Sequence, residues 1–311
     1  MGFPKMNANS PNIAFLGIGL MGAPMTRNLL DAGFPMTLWN RTASKCDSFA
    51  NEATIATSPA EAVASADVVI TMLESGDVVE EVLVAQGAIE ALKAGALVID
   101  MSSVQPSVAR RHAELAAEKG AGYVDAPVSG GTVGAAEGRL SIMAGGAGED
   151  VERALPVFQA LGKCTRIGPV GAGQLAKLAN QAIVGITIGA VSEALLLAAK
   201  GGANPTAVRE ALMGGFAGSR ILDLHGQRMI DRDFAPGAPA RIQLKDLRMI
   251  LDEARAEGLT LPLAQQTHNE YQSLVANGHS EVDHSGLLLE LEHLNGALLG
   301  SSVAGAKRGE E

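Results

Sequence analysis

Cysteine is scarce in this chain: Cys46 and Cys164 are the only two among 311 residues. Two thiols cannot staple a disulfide framework, and neither stands at metal-ligand spacing from another cysteine or a histidine. A disulfide-built secreted scaffold is therefore excluded, and a reducing, cytoplasmic setting is expected. The six histidines are scattered. His279 and His284 lie five apart, which does not put them on one helix face, and no metal site is expected. Basic charge is also short. The formal net charge of −10 argues against a nucleic-acid surface, which needs clustered Lys and Arg. Residues 1–10 lack the apolar run of a leader and read as a loose tail, as does the polar stretch 301–311. The longest apolar stretch, residues 182–199, carries Ser192 and Glu193 and many small residues, so a buried helix is expected rather than a membrane span.

What the chain has is aliphatic bulk and glycine. Hydrophobic residues make up 47%, aromatics only 3%, and there are 37 glycines. Such a balance suits an Ala/Gly/Val/Leu-rich α/β enzyme, and the length allows two ordinary domains.

The most informative local feature is Gly17-Ile18-Gly19-Leu20-Met21-Gly22, which fits Gly-x-Gly-x-x-Gly. The apolar run Ile13-Ala14-Phe15-Leu16 leads into it, and a helical stretch from Met25 to Leu30 leads out. Strand, glycine turn and helix together form a phosphate cradle. The glycines permit a tight turn and close backbone approach, and the helix N-terminus offers N–H groups to a pyrophosphate. A dinucleotide site is expected.

The next strand ends in Asn40-Arg41-Thr42. An NAD-preferring site places a carboxylate near here for the adenosine ribose hydroxyls. None is present. A guanidinium can instead hold a 2′-phosphate by charge-assisted hydrogen bonds and stack on adenine. NADP is the expected cofactor, with NAD as the alternative.

Residues 12 to about 125 alternate apolar strands with helical segments, the strands ending near Gly17, Asn40, Met72, Asp100 and Asp125. Alternation of this kind predicts a parallel, doubly wound sheet with right-handed crossovers. Helices are expected over 59–65 and 107–119, with short closing strands at 140–144 and 164–167. Ligands bind beyond the carboxyl ends of such strands, where Met72, Leu73 and Ser103 fall. From Gly173 the pattern changes. Residues 174–200 form one long apolar helical run, followed by helical segments at 205–213, 219–230, 244–257, 262–277 and 285–299, broken by Gly or Pro. The expected organisation is a cofactor-binding domain over 11–173 and an all-helical domain over 174–300, joined by the long helix.

Two further features carry chemistry. After a strand, Asp125-Ala126-Pro127-Val128-Ser129-Gly130-Gly131 sets a hydroxyl beside two glycines with bare backbone N–H groups, a small nest suited to a carboxylate. A plain strand-to-helix turn is the alternative. Lys177 opens the long apolar helix with Asn180 three positions on, so both can meet one small ligand. An ammonium there is either snorkelling or placed to protonate an alkoxide formed by hydride transfer.

Residues 17–30, 125–136 and 177–181, with matches at 214–222, 231–237, Lys245-Asp246-Leu247 and Asp283-His284-Ser285, together resemble the β-hydroxyacid dehydrogenase family over nearly the whole chain. The resemblance implies a Rossmann domain, a long helix and a helical domain that also makes the oligomer interface; the apolar excess of residues 182–199 and the later helices points to a homodimer or homotetramer. It implies Lys177 as catalytic acid/base, Asn180 and Gln181 orienting substrate, and Ser129, Gly130 and Gly131 holding a substrate carboxylate. Ser103 would contact the nicotinamide ribose and Lys245 the cofactor, with Asp246 nearby. The activity implied is reduction of a short aldehyde acid, tartronate semialdehyde to glycerate foremost. Glyoxylate or succinic semialdehyde reduction, 3-hydroxyisobutyrate oxidation and a non-enzymatic nucleotide sensor are the alternatives. One departure concerns the pocket: Ala238 stands where related enzymes often carry Phe.

Overall fold

The computed structural model describes residues 10–300. The tails expected at 1–10 and 301–311 lie outside the described residues, Ser10 excepted. The chain divides into two compact units between Lys177 and Leu178.

The first unit is a nine-stranded sheet with helices between its strands. In chain order it holds β1 (Ile13–Leu16), α1 (Gly22–Asp31), β2 (Met36–Trp39), β3 (Thr54–Ile55), α2 (Pro59–Val63) and β4 (Val68–Thr71). There follow α3 (Gly76–Glu80), β5 (Leu97–Asp100), α4 (Pro106–Glu118), β6 (Gly122–Asp125), β7 (Val128–Ser129), α5 (Gly131–Ala136), β8 (Leu140–Gly145), α6 (Gly148–Leu161) and β9 (Gly162–Gly168). The spatial order is β3-β2-β1-β4-β5-β6-β8-β7, with β9 on β8. Strands β1 to β6 are parallel, as their chain order and crossover helices require.

Strands β1, β4 and β5 are buried at every position. That follows from covering both faces, and it explains why they read as unbroken Val/Ile/Leu runs rather than alternations. One face packs around Phe15, Ile70, Ile99 and Phe158, the other around Leu16, Val69, Val98 and Tyr123. The parallel sheet expected over 12–125 is β1 to β6; beyond it, and not expected, β8 runs antiparallel to β6 and β7. The two-residue strands β3 and β7 were not expected either, being too short to show periodicity.

Helix α7 (Ala172–Lys200) opens in the first unit and continues through the second. The unit boundary lies beyond the Gly173 edge expected from composition, because the opening turn of α7 is hydrogen-bonded to the strand ends of the first unit. The second unit adds α8 (Pro205–Met213), α9 (Arg220–Asp231), α10 (Ala240–Ala256), α11 (Pro262–Ala276) and α12 (Leu287–Asn295). Its core gathers Ile188, Leu195, Leu222, Met229, Leu247, Tyr271 and Leu288. Its helix starts are locally encoded. Asn204 and Ser219 accept from Ala207 N and Leu222 N, and Pro205 and Pro262 sit in first turns.

The expectation for residues 182–199 holds only on one side. Helix α7 is long and apolar enough to cross a membrane by composition, yet 39% of its most apolar window is buried inside the protein. Ile183 and Leu197 are 67% and 76% exposed.

Candidate active site

The glycine loop sits where β1 ends and α1 begins. Gly17 has φ 112°, and a Cβ on it would collide with Met72 O, while a Cβ on Gly22 would collide with Gly17 O. Those two glycines let the turn close. Gly19 differs: a Cβ there would meet no protein atom within 4 Å. The space above it is open to a ligand. Helix α1 has no side-chain N-cap and no acidic residue in its first turn, which leaves its positive end suited to a phosphate. Leu20 is exposed, Met21 half-buried. The residues present thus fit a dinucleotide.

A groove beside this loop is lined by Gly17, Gly19, Asn40, Arg41, Thr42 and Lys45 on one side and by Met72, Leu73 and Glu74 on the other. Arg41, Thr42 and Lys45 are exposed at its rim. Lys45 was not foreseen. It lies in the short 3-10 turn Ala43–Phe49, whose irregular period hides which side chains return to β2. Asn40, expected at the cofactor, lines this groove and also has its amide engaged within the protein. Its Oδ1 accepts from Ile18 N at 2.9 Å and its Nδ2 donates to Thr42 O at 2.9 Å. The Ile18 N–H is thereby occupied, so Asn40 shapes the loop.

The strand ends β4, β5 and β6 are tied together by buried polar groups. Thr71 Oγ1 donates to Asp100 Oδ1 at 2.7 Å, and Ser102 N donates to the same oxygen at 2.9 Å. Leu73 N donates to Ser102 Oγ at 2.9 Å. Ser103, half-buried, follows at once. Asp125, at the end of β6, accepts from Gly171 N at 2.7 Å and from Gln174 N at 2.8 Å. It therefore caps the start of α7. Burial is the largest influence on this carboxyl and raises it to about 7, with repulsion from Asp100 adding to the rise and the two N–H donors opposing it.

Three residues after Gln174 comes Lys177. Only 9% exposed, it donates from Nζ to Val128 O at 2.8 Å. Val128 immediately precedes Ser129, Gly130 and Gly131. Gly130 and Gly131 have φ of 138° and 62°, a pair of positive-φ positions of the kind that backbone anion nests use. Ser129 is half-buried, and both glycines are exposed. A buried ammonium thus stands next to a hydroxyl and a glycine nest. Such a set can bind a small carboxylate and give a proton to a neighbouring oxygen.

In the second unit, Asn180 Nδ2 donates to Gln181 Oε1 at 2.8 Å. Gln181 Nε2 donates to Asp246 Oδ2 at 2.6 Å, and Lys245 Nζ lies 3.3 Å from Asp246 Oδ1. Asp246 is buried and Lys245 half-buried. The four residues thus form one polar chain linking α7 to α10.

The same unit brings His225 to Asp283 and His284. His225 and His284 face each other with Nε2 atoms 3.2 Å apart, beside Asp283. The two rings lie 59 positions apart in the chain, so no local spacing could reveal the pair. The Asp283 carboxylate is already served by Ser285 N and Oγ, Gly237 N, Ala238 N and Arg228 Nη1. Such a set, with a guanidinium at 3.1 Å, marks a structural anchor for the Gly237–Ala238 backbone.

Comparison with known proteins agrees with this geometry. Residues 12–168 match the NAD-binding domain of 6-phosphogluconate dehydrogenase. Residues 171–291 match the domain described as NAD-binding of NADP-dependent 3-hydroxyisobutyrate dehydrogenase. The 2-hydroxy-3-oxopropionate reductase of Escherichia coli K12 is 44% identical, over 90% of this chain and 97% of its own length. An NAD-dependent L-serine dehydrogenase of Pseudomonas aeruginosa is 35% identical, over 88% and 95%. Among solved structures, a Mycobacterium tuberculosis 3-hydroxyisobutyrate dehydrogenase with L-serine superposes with a TM-score of 0.83 at 33% identity, covering 91% of this chain and 99% of that one. The chain belongs to the β-hydroxyacid dehydrogenase family and is an NAD(P)-dependent oxidoreductase acting on CH–OH groups.

Proposed function

We propose that this protein reduces a short aldehyde acid with NADPH, and that tartronate semialdehyde, yielding glycerate, is its substrate. The observation that carries the reading is the buried Lys177 Nζ on Val128 O, one residue from the Ser129–Gly130–Gly131 nest.

A bound NADPH supplies the hydride. The nest N–H groups and the Ser129 hydroxyl hold the substrate carboxylate, which fixes the aldehyde oxygen near Lys177. As the aldehyde carbon gains hydride, the carbonyl π electrons move onto oxygen, and the Lys177 ammonium stabilises that charge and gives up one proton to it. The neutral amine left behind recovers a proton from solvent. Its bond to Val128 O holds the amine in place through the cycle. Asn180 and Gln181 orient the substrate, Ser103 contacts the nicotinamide ribose, and Lys245 and Asp246 serve the cofactor.

Support for NADPH comes from the groove rim, where Arg41, Thr42 and Lys45 stand and the end of β2 carries no carboxylate. Support for tartronate semialdehyde comes from the 44% identity to the E. coli reductase. The deciding experiment follows NADPH and NADH oxidation with tartronate semialdehyde, succinic semialdehyde, glyoxylate and methylmalonate semialdehyde, ranked by kcat/KM. A ranking led by another aldehyde, or by NADH, overturns the corresponding half of the proposal.

A homodimer or homotetramer belongs to the same proposal. The exposed Ile183 and Leu197 on α7, beside a groove in which Leu196, Leu197, Leu291 and Ala297 are joined by Glu193, Lys200 and Asn295, support it.

A further inference from the structure

Gln174 lies in the opening turn of α7 and is 1% exposed. A buried amide must find partners for both of its ends. Here Oε1 accepts from Val104 N at 3.1 Å, and Nε2 donates to Ser102 O at 2.9 Å. The two backbone groups it takes are the ones that flank Ser103. The side chain thus behaves like a peptide unit of a neighbouring strand, pairing with the loop after β5 on both sides of a single residue.

The backbone of Gln174 is fixed as well, since its N–H donates to Asp125 Oδ2. Lys177 lies three residues on, within the same turn, and reaches Val128 O. Ser102, held by Gln174, in turn accepts Leu73 N. One turn of helix therefore fastens the loops after β4 and β5 through Gln174 and the start of β7 through Lys177. Asp125 anchors that turn from below.

We infer that Gln174 is a positioning residue for hydride transfer, setting the Ser103 loop, and so the nicotinamide, in register with the Lys177 ammonium. The inference rests on the proposed roles of Ser103 and Lys177. The residue type matters for a definite reason. The site needs one donor and one acceptor at the same moment. Glutamate would offer a second acceptor to Ser102 O, and methionine would offer neither partner at nearly the same length. A shorter asparagine falls one methylene short of the loop. Reacting atoms held about 3–3.5 Å apart lose on the order of 100-fold in rate from a displacement of about 1 Å. Loss of the amide should therefore appear in the chemical step and leave cofactor affinity nearly intact.

The test compares the full-length wild type with Gln174→Met and Gln174→Glu. NADPH affinity is measured by fluorescence, thermal midpoint by calorimetry, and tartronate semialdehyde reduction with NADPH carrying hydrogen or deuterium on the transferred face of C4. Gln174→Met is expected to lower kcat by about 10–100-fold with NADPH affinity changed less than about threefold, and to raise the deuterium isotope effect on kcat. Gln174→Glu is expected to do the same, and serves alone if the methionine variant does not fold. A folded variant with kcat within twofold of wild type and an unchanged isotope effect overturns the inference. So does a loss of kcat that tracks a lowered thermal midpoint without any change in isotope effect. Wild type inactive on every aldehyde tried would instead overturn the proposed function, which separates the two failures.

Discussion

Asp125 and Gly173 meet at the start of α7. A Cβ on Gly173 would fall 2.5 Å from Asp125 O and 2.8 Å from Asp125 Oδ2, and would also collide with Met143 O. Gly145 answers the same carboxylate from β8, where a Cβ would lie 2.5 Å from Asp125 Oδ1. Two glycines thus make room for one buried acid, and that acid holds the helix that carries Lys177.

Gly173→Ala is expected to destabilise the protein by about 1–3 kcal/mol, the range for overpacking a dense interior. Two of the three nearest atoms are backbone oxygens, which cannot swing aside as a side chain can. Chemical denaturation reads the loss directly. A variant as stable as wild type would show that this approach is looser than the geometry requires.

Asp125 also makes stability depend on pH. Its carboxyl is raised to about 7 in the fold, from an ordinary value of 3.8. The folded chain therefore binds this proton more tightly than the unfolded chain does. The stability contributed by the neutral acid is complete below pH about 4 and is lost as pH rises through about 7. The slope reaches at most about 1.4 kcal/mol per pH unit. Denaturation of wild type and Asp125→Asn at pH 5, 6, 7 and 8 should show the wild type losing stability relative to the variant across that window. Parallel curves would contradict the assignment.

Lys177→Ala should reduce kcat by about 10²–10⁴-fold, the usual contribution of general acid catalysis, with NADPH affinity nearly unchanged. Stopped-flow kinetics beside fluorescence titration separate the two quantities. Retention of most activity would remove Lys177 as the proton donor.

For Arg41→Ala, NADPH binding should weaken by about 1.5–3 kcal/mol, as expected for hydrogen bonds to a charged group, while NADH binding barely changes. Equal losses for both cofactors would show that the guanidinium does not read a 2′-phosphate. Lys45→Ala provides a parallel measurement on the second cation of the rim.

Assembly is read by light scattering behind size exclusion. Leu197→Glu sets a charge on an exposed apolar stretch of α7 and should shift a dimer or tetramer toward smaller species. Wild type running as a monomer would dispose of the assembly proposal.

Much of the fold was legible because its signals are local. The Asn204 cap and Pro205 mark α8 to the residue, and the glycine loop announces itself between an apolar strand and a helix. Lys177 and the Ser129–Gly131 stretch stand out as candidates for the same reason, since each lies in one short stretch. What the sequence did not disclose is how they are held. Asp125 reaches Gly171 and Gln174 across 46 and 49 positions, and Gln174 reaches Ser102 across 72. No periodicity encodes such pairings. Asn40 shows the same limit: it stands at the ribose end of β2 and lines the groove, while its pairing with the Ile18 N–H spans 22 positions.

The three loop glycines now divide by owner. The fold needs bare α-carbons at positions 17 and 22, whereas position 19 could carry a methyl without disturbing its host. A Gly19→Ala chain should fold, melt and assemble like its parent while refusing the guest, which offers a clean apo-locked reference for every binding measurement on this protein.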